Sequence, residues 1–322
     1  MSSEQLGSAV NVLNGNLGSA WNIFIGKSGE NSFPPPPSVL TLATNAYALY
    51  DLYGTGGAVV RFLNSASTPT ERDFTATELT DGTYTSWYVS GTTAVTKLYD
   101  QKASLDLFNL SSVTQPDYIA STNVVDFERF AFFGEPLLTD NDQTVIDNYE
   151  GNGGVSGHNG DVTLIQSLIG NSSNTGTTTD NFFGIREGFA PVGFEQAAHR
   201  CLSVKDTTTA AGHPSISAKS DTTAAVTDIS SVAFSTTTMK TYSATFQRVE
   251  GAVVTTNLKL YENDTATPIV DANNTTMTST LSQDKFQVGG RPSFQTSAML
   301  AFNIVLTAEQ IAAAHTELSA NY

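Results

Sequence analysis

Cysteine is almost missing from this chain: of 322 residues only Cys201 carries a thiol, so no internal disulfide framework can staple the fold. Cys201 sits in a strand-like run, Ala197 to Val204, where a lone thiol serves as a small buried hydrophobe. Basic side chains are scarce as well, 15 Lys and Arg against 31 Asp and Glu. The resulting net charge of −16 repels phosphate backbones, and nucleic acid is not an expected partner. No apolar run reaches the roughly 18 residues that a membrane span requires, so no membrane partner is expected either. The first residues, Met1-Ser-Ser-Glu-Gln5, lack a basic segment followed by an apolar one, the pattern of a secretory signal. Phosphate-binding glycine loops, dinucleotide fingerprints and serine nucleophile elbows are missing too. His158, His199, His213 and His315 show no metal-ligand spacing.

What replaces charge is Thr, Ser, Asn and Gly; charged residues amount to 14%. Such a polar, uncharged surface suits proteins displayed outside a cell or on a particle. Turn-forming clusters alternate with short β-rich runs: Val59–Leu63, Tyr84–Val89, Ala94–Tyr99, Asp106–Leu110, Val124–Phe127, Val162–Ile169, Phe182–Arg186 and Cys201–Val204. Ile216–Ala218, Tyr242–Val249, Asn257–Tyr261, Phe286–Val288 and Ala298–Val305 continue the series. Many short strands and few helices predict an all-β sandwich of two antiparallel sheets. In Lys240–Val249 the positions Tyr242, Ala244 and Phe246 share one face, the alternation of a strand with one wet side. A short helix is expected from a cap at Thr44 or Asn45 through Tyr53, closed by Gly54. At the C-terminus, Thr307 and Gln310 form a capping box and Leu306 can staple on Ile311. Ile311, Ala314, Leu318 and Tyr322 then make an apolar stripe that docks on the sandwich.

Residues 1–37 read differently. Scattered apolar positions, among them Trp21, Phe24 and Phe33, lie in Gly, Asn and Ser, and Pro34–Pro37 forms a stiff polyproline spacer. The expectation is an anchoring arm, with Trp21, Phe24 and Phe33 as its anchors, followed by one sandwich domain over residues 38–322. A terminal strand lying over its own domain is the competing reading.

Three successive motifs carry a resemblance: Ala46-Tyr-Ala-Leu-Tyr-Asp-Leu-Tyr53, Gly56-Gly-Ala-Val-Val-Arg-Phe-Leu-Asn64 and Thr96-Lys-Leu-Tyr-Asp-Gln101. Together they resemble the opening of the concanavalin A-like (laminin G-like) jelly-roll found in the catalytic domain of fungal arabinofuranosidase B. Degenerate relatives of that domain occur in virion proteins of phages and large DNA viruses. The resemblance covers Ala46–Leu107 well, Lys285–Leu306 moderately and the middle poorly. It implies a jelly-roll sandwich in which Asp100 and Gln101 bond backbone at a turn. It also implies a catalytic Asp directly after a Gly-Gly pair, and here Gly289-Gly290 is followed by Arg291. A guanidinium cannot donate a proton at neutral pH. The family's Asp-Leu-Glu-Asn nucleophile motif is missing, and Cys201 has no partner to form the family's paired cysteines. These departures predict that the chain is not an enzyme.

The functional expectation is therefore a structural virion protein: a minor capsid, decoration, or tail or fibre component. It is expected to be made in a host cytoplasm, carried on the virion, and held there by other virion proteins through residues 1–37. Host glycans and further copies of the chain are the remaining expected partners. Trp87, Tyr88, Tyr118 and Arg291 are the candidate ligand-binding residues, the aromatic rings serving as sugar platforms. No cofactor is expected, although Asp140, Asp142 and Asp147 offer the hard oxygen ligands that calcium prefers. The alternative is a glycoside hydrolase with relocated carboxylates, for which Glu187 and Glu195 stand near strand ends. Arg186 beside Glu187 fits a surface ion pair equally well.

Overall fold

The computed structural model describes residues 46, 48–55, 57–64, 68–88, 93–102, 105–108, 116–127, 137–139, 161–170, 180–187, 201–206, 212–219, 226–249, 255–263, 267–276, 284–288, 294–302 and 304–321. The segment expected to be an anchoring arm, with Trp21, Phe24 and Phe33, lies outside them, as do Asp140, Asp142, Asp147, Glu195 and Arg291.

Two antiparallel layers build the sandwich. The first runs β16 (Val270–Thr276), β15 (Thr255–Glu262), β14 (Lys240–Val249), β9 (Val162–Gly170) and β18 (Phe294–Phe302). The far edge of β18 is shared by β1 (Ala48–Asp51) and β7 (Val124–Asp126). The second runs β3 (Thr70–Thr75), β2 (Ala58–Asn64), β4 (Thr93–Leu98), β5 (Leu107–Phe108) and β8 (Leu137–Thr139). It continues through β17 (Asp284–Val288), β10 (Asp180–Glu187), β11 (Cys201–Asp206), β12 (Pro214–Lys219) and β13 (Val226–Ile229). A hairpin, β6 (Asp117–Ile119) with β7, bonds to β4 on one side and β18 on the other, stitching the layers at a corner.

The main core lies between the layers. Tyr50, Leu164, Leu168, Tyr242, Ala244, Phe246, Leu258 and Leu260 meet Phe62, Phe74, Phe183, Val204 and Ile216 there. Each such aliphatic or aromatic side chain contributes about 1.5–3 kcal/mol by leaving water. Phe62, Tyr84 and Tyr118 form a tight aromatic knot, with centroid distances of 4.9 Å for Phe62–Tyr84, 5.0 Å for Phe62–Tyr118 and 4.9 Å for Tyr84–Tyr118.

The segment expected to be a helix through Tyr53 is a strand. Ala48 and Tyr50 are buried while Leu49 and Asp51 are only partly so, a period of two that pairs β1 with Ala298–Ala301 of β18. The Tyr50 hydroxyl, deep in the core, donates to the Leu105 carbonyl at 2.6 Å. Gly54 closes a tight turn rather than a helix: a Cβ there would come within 3.0 Å of the Asp51 carbonyl oxygen and 3.1 Å of Gln101 Cγ. Asp100 and Gln101 bond backbone as expected. Asp100 accepts from the N–H groups of Leu49 (2.9 Å), Lys102 (2.9 Å) and Leu105 (3.1 Å), and Gln101 Nε2 donates to the Ala58 carbonyl at 2.8 Å.

The C-terminal helix, α3 (Ala308–Ser319), forms as its sequence dictates. Thr307 Oγ1 accepts from Gln310 N at 3.3 Å, and Gln310 Oε1 accepts from Thr307 N at 2.9 Å. Ile311, Ala314 and Leu318 pack with Leu306, Ile165, Leu300 and Phe302 on the outer face of the first layer. That cover overturns the wet face expected for β14: Thr241, Ser243 and Thr245 are buried together with Tyr242, Ala244 and Phe246. Their hydroxyls are matched to neighbours instead, Thr241 with Ser167 at 2.9 Å and Ser243 with His315 Nε2 at 2.5 Å.

His315 is thus a buried imidazole under a helix, and burial pushes its pKa down to about 3 from an ordinary 6.5. A group whose folded pKa is depressed below its unfolded value gives up stability as pH falls from about 6.5 toward 3, on the order of 4 kcal/mol across that window. Chemical denaturation at stepped pH should show this loss, and His315→Gln, which keeps a polar partner for Ser243, should flatten it; an unchanged acid limb in the variant would contradict the assignment.

Candidate functional site

A concavity among the described residues begins at the end of β3. Thr75 caps α1 (Ala76–Thr80) through a capping box: its Oγ1 accepts from Glu78 N at 3.3 Å, and Glu78 Oε2 accepts from Thr75 N at 3.0 Å. Glu78 Oε1 also accepts from Arg72 Nη2 at 2.7 Å, and the Arg72 guanidinium lies 4.6 Å from the centroid of the Phe74 ring. Asp81 and Gly82 turn the chain, Gly82 with φ of +91° where a side chain would be strained, and α2 (Thr83–Trp87) follows. Each helix is nailed down by one buried residue, Leu79 in α1 and Tyr84 in α2.

Alternation predicts a strand over Tyr84–Val89, and α2 corrects it. Thr85 Oγ1 and Ser86 Oγ both donate back to the Gly82 carbonyl, at 2.9 and 2.8 Å, and Tyr88 N donates to Tyr84 O at 2.8 Å. The helical turn lets Tyr84 enter the knot with Phe62 and Tyr118, its hydroxyl bonded to Thr93 Oγ1 at 2.7 Å, while Trp87 turns its edge to Phe74 at 5.2 Å. Local hydroxyl chemistry and one aromatic anchor outweigh β-propensity here.

Arg72, Asp81, Gly82, Thr83, Thr85, Ser86 and Trp87 line a hollow of about 580 Å³. Asp81 in its lining and Glu78, bonded to Arg72, are both ionised: the Thr83 side chain and backbone, hydrogen-bonded to Asp81, hold its pKa below the ordinary range, and the Thr75 backbone N–H does the same for Glu78. Tyr88 stands beside the hollow, 40% exposed, its ring stacked on Tyr84 at 6.1 Å. Trp87 and Tyr88 are therefore brought together with polar groups. Tyr118 is not: only 8% exposed, it donates to Asn123 Oδ1 at 2.7 Å and belongs to the core. Its selection as a platform is corrected by burial that neighbouring prolines and aspartates did not betray. Arg72 was missed by sequence reasoning, although Thr75-Ala-Thr-Glu78 followed by Asp81-Gly82 spells a capped helix and a turn beside it.

A second charged group lies on the outer side of β2, β3 and β4. Arg61 forks onto Asp73 (2.5 and 3.1 Å), Tyr99 donates to Asp73 at 2.8 Å, and Lys97 pairs with Asp106 at 2.6 Å. The Arg61 bond is the chief reason that Asp73 stays below the carboxylate range, while burial first and Asp73 second raise the Tyr99 phenol to about 12. Its charges satisfy one another, so it reads as a cross-strand clamp.

Among the described residues, the carboxyl with the ordinary signature of an acid catalyst is Asp51, raised to about 6 by burial and then by Glu317. It adjoins a void of about 10 Å³ lined also by Tyr50, Leu52, Leu98, Val125, Thr296, Ser297 and Met299. That space has room for one water at most and for no sugar ring, so Asp51 is a structural carboxyl. Elsewhere, Glu187 ends β10 directly opposite Asp284 in the β10–β17 ladder. No group of three or more His, Cys, Asp or Glu able to hold a metal occurs among the described residues, and no described helix is long and apolar enough to cross a membrane.

No family model matches this chain, and no curated protein does. Solved structures do. A GH54 α-L-arabinofuranosidase, soaked with a cyclic sulfate inhibitor, superimposes with a TM-score of 0.54 at 11% identity, over 89% of this chain and 65% of that one. A Trypanosoma rangeli sialidase gives 0.45 at 12% identity, over 84% of this chain and 34% of that one. The receptor binding domain of botulinum neurotoxin D gives 0.41 at 8% identity, over 83% and 54%. The chain spans less than two thirds of the length of each. The arabinofuranosidase likeness establishes the fold, an all-β sandwich shared with a glycoside hydrolase. It overturns the expectation that the chain is not an enzyme: the loss of one family carboxylate at Arg291 does not exclude chemistry from a sandwich that carries hydrolysis in a relative.

Asp51 sets a pH dependence of its own. A carboxyl raised above its unfolded 3.8 adds stability that is complete below pH 3.8 and is lost as pH rises through about 6. The ionised group costs on the order of 3 kcal/mol at neutral pH. Asp51→Asn, whose amide oxygen can still accept from Tyr53 N, should raise the thermal midpoint at pH 7.5 and leave it unchanged near pH 3.5; a lower midpoint at pH 7.5 would refute the assignment.

Proposed function

We propose that this chain is a virion component, in a minor capsid, decoration, or tail or fibre position, whose sandwich recognises host glycans at the hollow between Arg72 and Trp87. The observation that carries glycan recognition is the hollow itself, where an indole, a guanidinium, a carboxylate and hydroxyls line one concavity of about 580 Å³ on a carbohydrate-associated fold. A display role on a particle is supported by the low charge content and the polar, Thr- and Ser-rich surface. In this reading residues 1–37 attach the sandwich to other virion proteins, copies of the chain assemble together, and Asp140, Asp142 and Asp147 are available to calcium.

A glycan array with the full chain tests recognition: bound glycans are expected, with affinity reduced about tenfold by Tyr88→Ala, and an empty array would reject it. Removal of residues 1–37 should abolish incorporation into particles while the sandwich keeps its unfolding transition. Normal incorporation would reject the anchor.

A second reading, polysaccharide hydrolysis, is favoured by the arabinofuranosidase likeness and by Glu187 standing opposite Asp284. Glycoside cleavage needs two carboxyl-bearing residues, and this register places two of them on neighbouring strands. Release of reducing sugar from a plant or host cell-wall extract, lost in both Glu187→Gln and Asp284→Asn, would establish it; no release from the intact chain would dismiss it.

A further inference from the structure

We propose that the Arg72–Trp87 hollow selects uncharged, hydroxyl-rich saccharides and refuses carboxylated or sulfated ones, an inference that rests on the glycan-recognition reading above. The reason is a one-sided supply of hydrogen bonds. Thr85 and Ser86 spend their hydroxyl hydrogens on the Gly82 carbonyl, and Thr83 spends its own on Asp81. What these groups turn to a ligand is oxygen lone pairs, and the Asp81 carboxylate adds only acceptors. The guanidinium of Arg72 already donates to Glu78 and is held over Phe74.

A ligand for such a surface must bring donors. Sugar hydroxyls do, and each can accept from an outlying Arg72 N–H at the same time. A carboxylate or sulfate brings acceptors to acceptors. It also brings charge to a lining whose one cation, Arg72, is already paired with Glu78 and whose own carboxylate, Asp81, is held below the ordinary range and therefore ionised. The net charge of −16 over the chain adds a repulsive field of the same sign. The indole of Trp87 offers its apolar surface to the C–H face of a sugar ring, a contact indifferent to the sign of remote charge.

Titration calorimetry on the full chain tests this with matched probes: xylotriose, maltotriose and chitotriose against tri-galacturonate and a sulfated trisaccharide, at about 0.15 M salt. At least one neutral probe should bind, and acidic probes should bind at least tenfold more weakly. Asp81→Asn, whose amide can still accept from Thr83 N, should narrow that ratio at least threefold, and Thr85→Val should weaken the neutral probe at least threefold. Both positions are exposed, and an unchanged thermal midpoint confirms that the variants fold. Equal or tighter binding of acidic probes, or a ratio untouched by Asp81→Asn, would overturn the selectivity. If acidic probes win and Arg72→Gln abolishes them, glycan recognition stands and only the selectivity falls. If no probe binds, both fall together.

Discussion

Strand β18 is the member on which the rest of this molecule leans. β9 bonds to one of its edges, β1 and β7 share the other, the interlayer core covers one face and α3 covers the opposite one. A strand buried on both faces is mostly apolar: Phe294–Phe302 is buried at every position but one, apolar from Ala298 onward, and its buried Thr296 donates to the Ser167 carbonyl at 2.7 Å. Through it the beginning and the end of the sandwich are held by one element. Asp51 on β1 and Glu317 on α3 lie close enough to feel each other's charge.

Several of the hydroxyls that this arrangement buries are satisfied in pairs, while Gln166 Oε1, Ser297 Oγ and His315 Nδ1 meet no partner within the protein. Ser167 with Thr241, Thr163 with the Ile304 carbonyl, and Ser243 with His315 convert what would be desolvation penalties into bonds. His315 and Asp51 answer acid in opposite senses, one losing and the other gaining stability as pH falls. The sandwich is therefore buffered between about pH 6 and 4, where the two trends oppose each other.

The hollow follows from the same economy at the opposite layer. Neither α1 nor α2 is long enough to stand alone, and both exist because Leu79 and Tyr84 reach the core. Their polar sides then have no option but to face outward together, next to Arg72 at the end of β3. Recognition chemistry here is the exposed remainder of a packing solution. Its hydrogen-bond polarity is set by the Gly82 carbonyl, which takes the hydroxyl hydrogens of Thr85 and Ser86.

Sequence alone determined the class of fold, because runs of alternating Val, Ile, Phe and Tyr between turn residues leave a chain with little option but sheets. It determined the C-terminal helix, since Thr307, Gln310 and the Ile311–Leu318 stripe act within a few residues of one another, and the backbone-binding role of Asp100 and Gln101. Only tertiary structure decided what depends on distant partners. Ala48–Asp51 is a strand because β18 offers an edge, Thr83–Trp87 is a helix because Tyr84 must reach Phe62, and Tyr118 is core because it closes that knot. The same holds for β14, whose Ser and Thr positions look wet until α3 arrives from some 70 residues further along the chain to cover them. Local chemistry is written in neighbouring letters; burial is a property of the whole chain, settled only when remote segments meet.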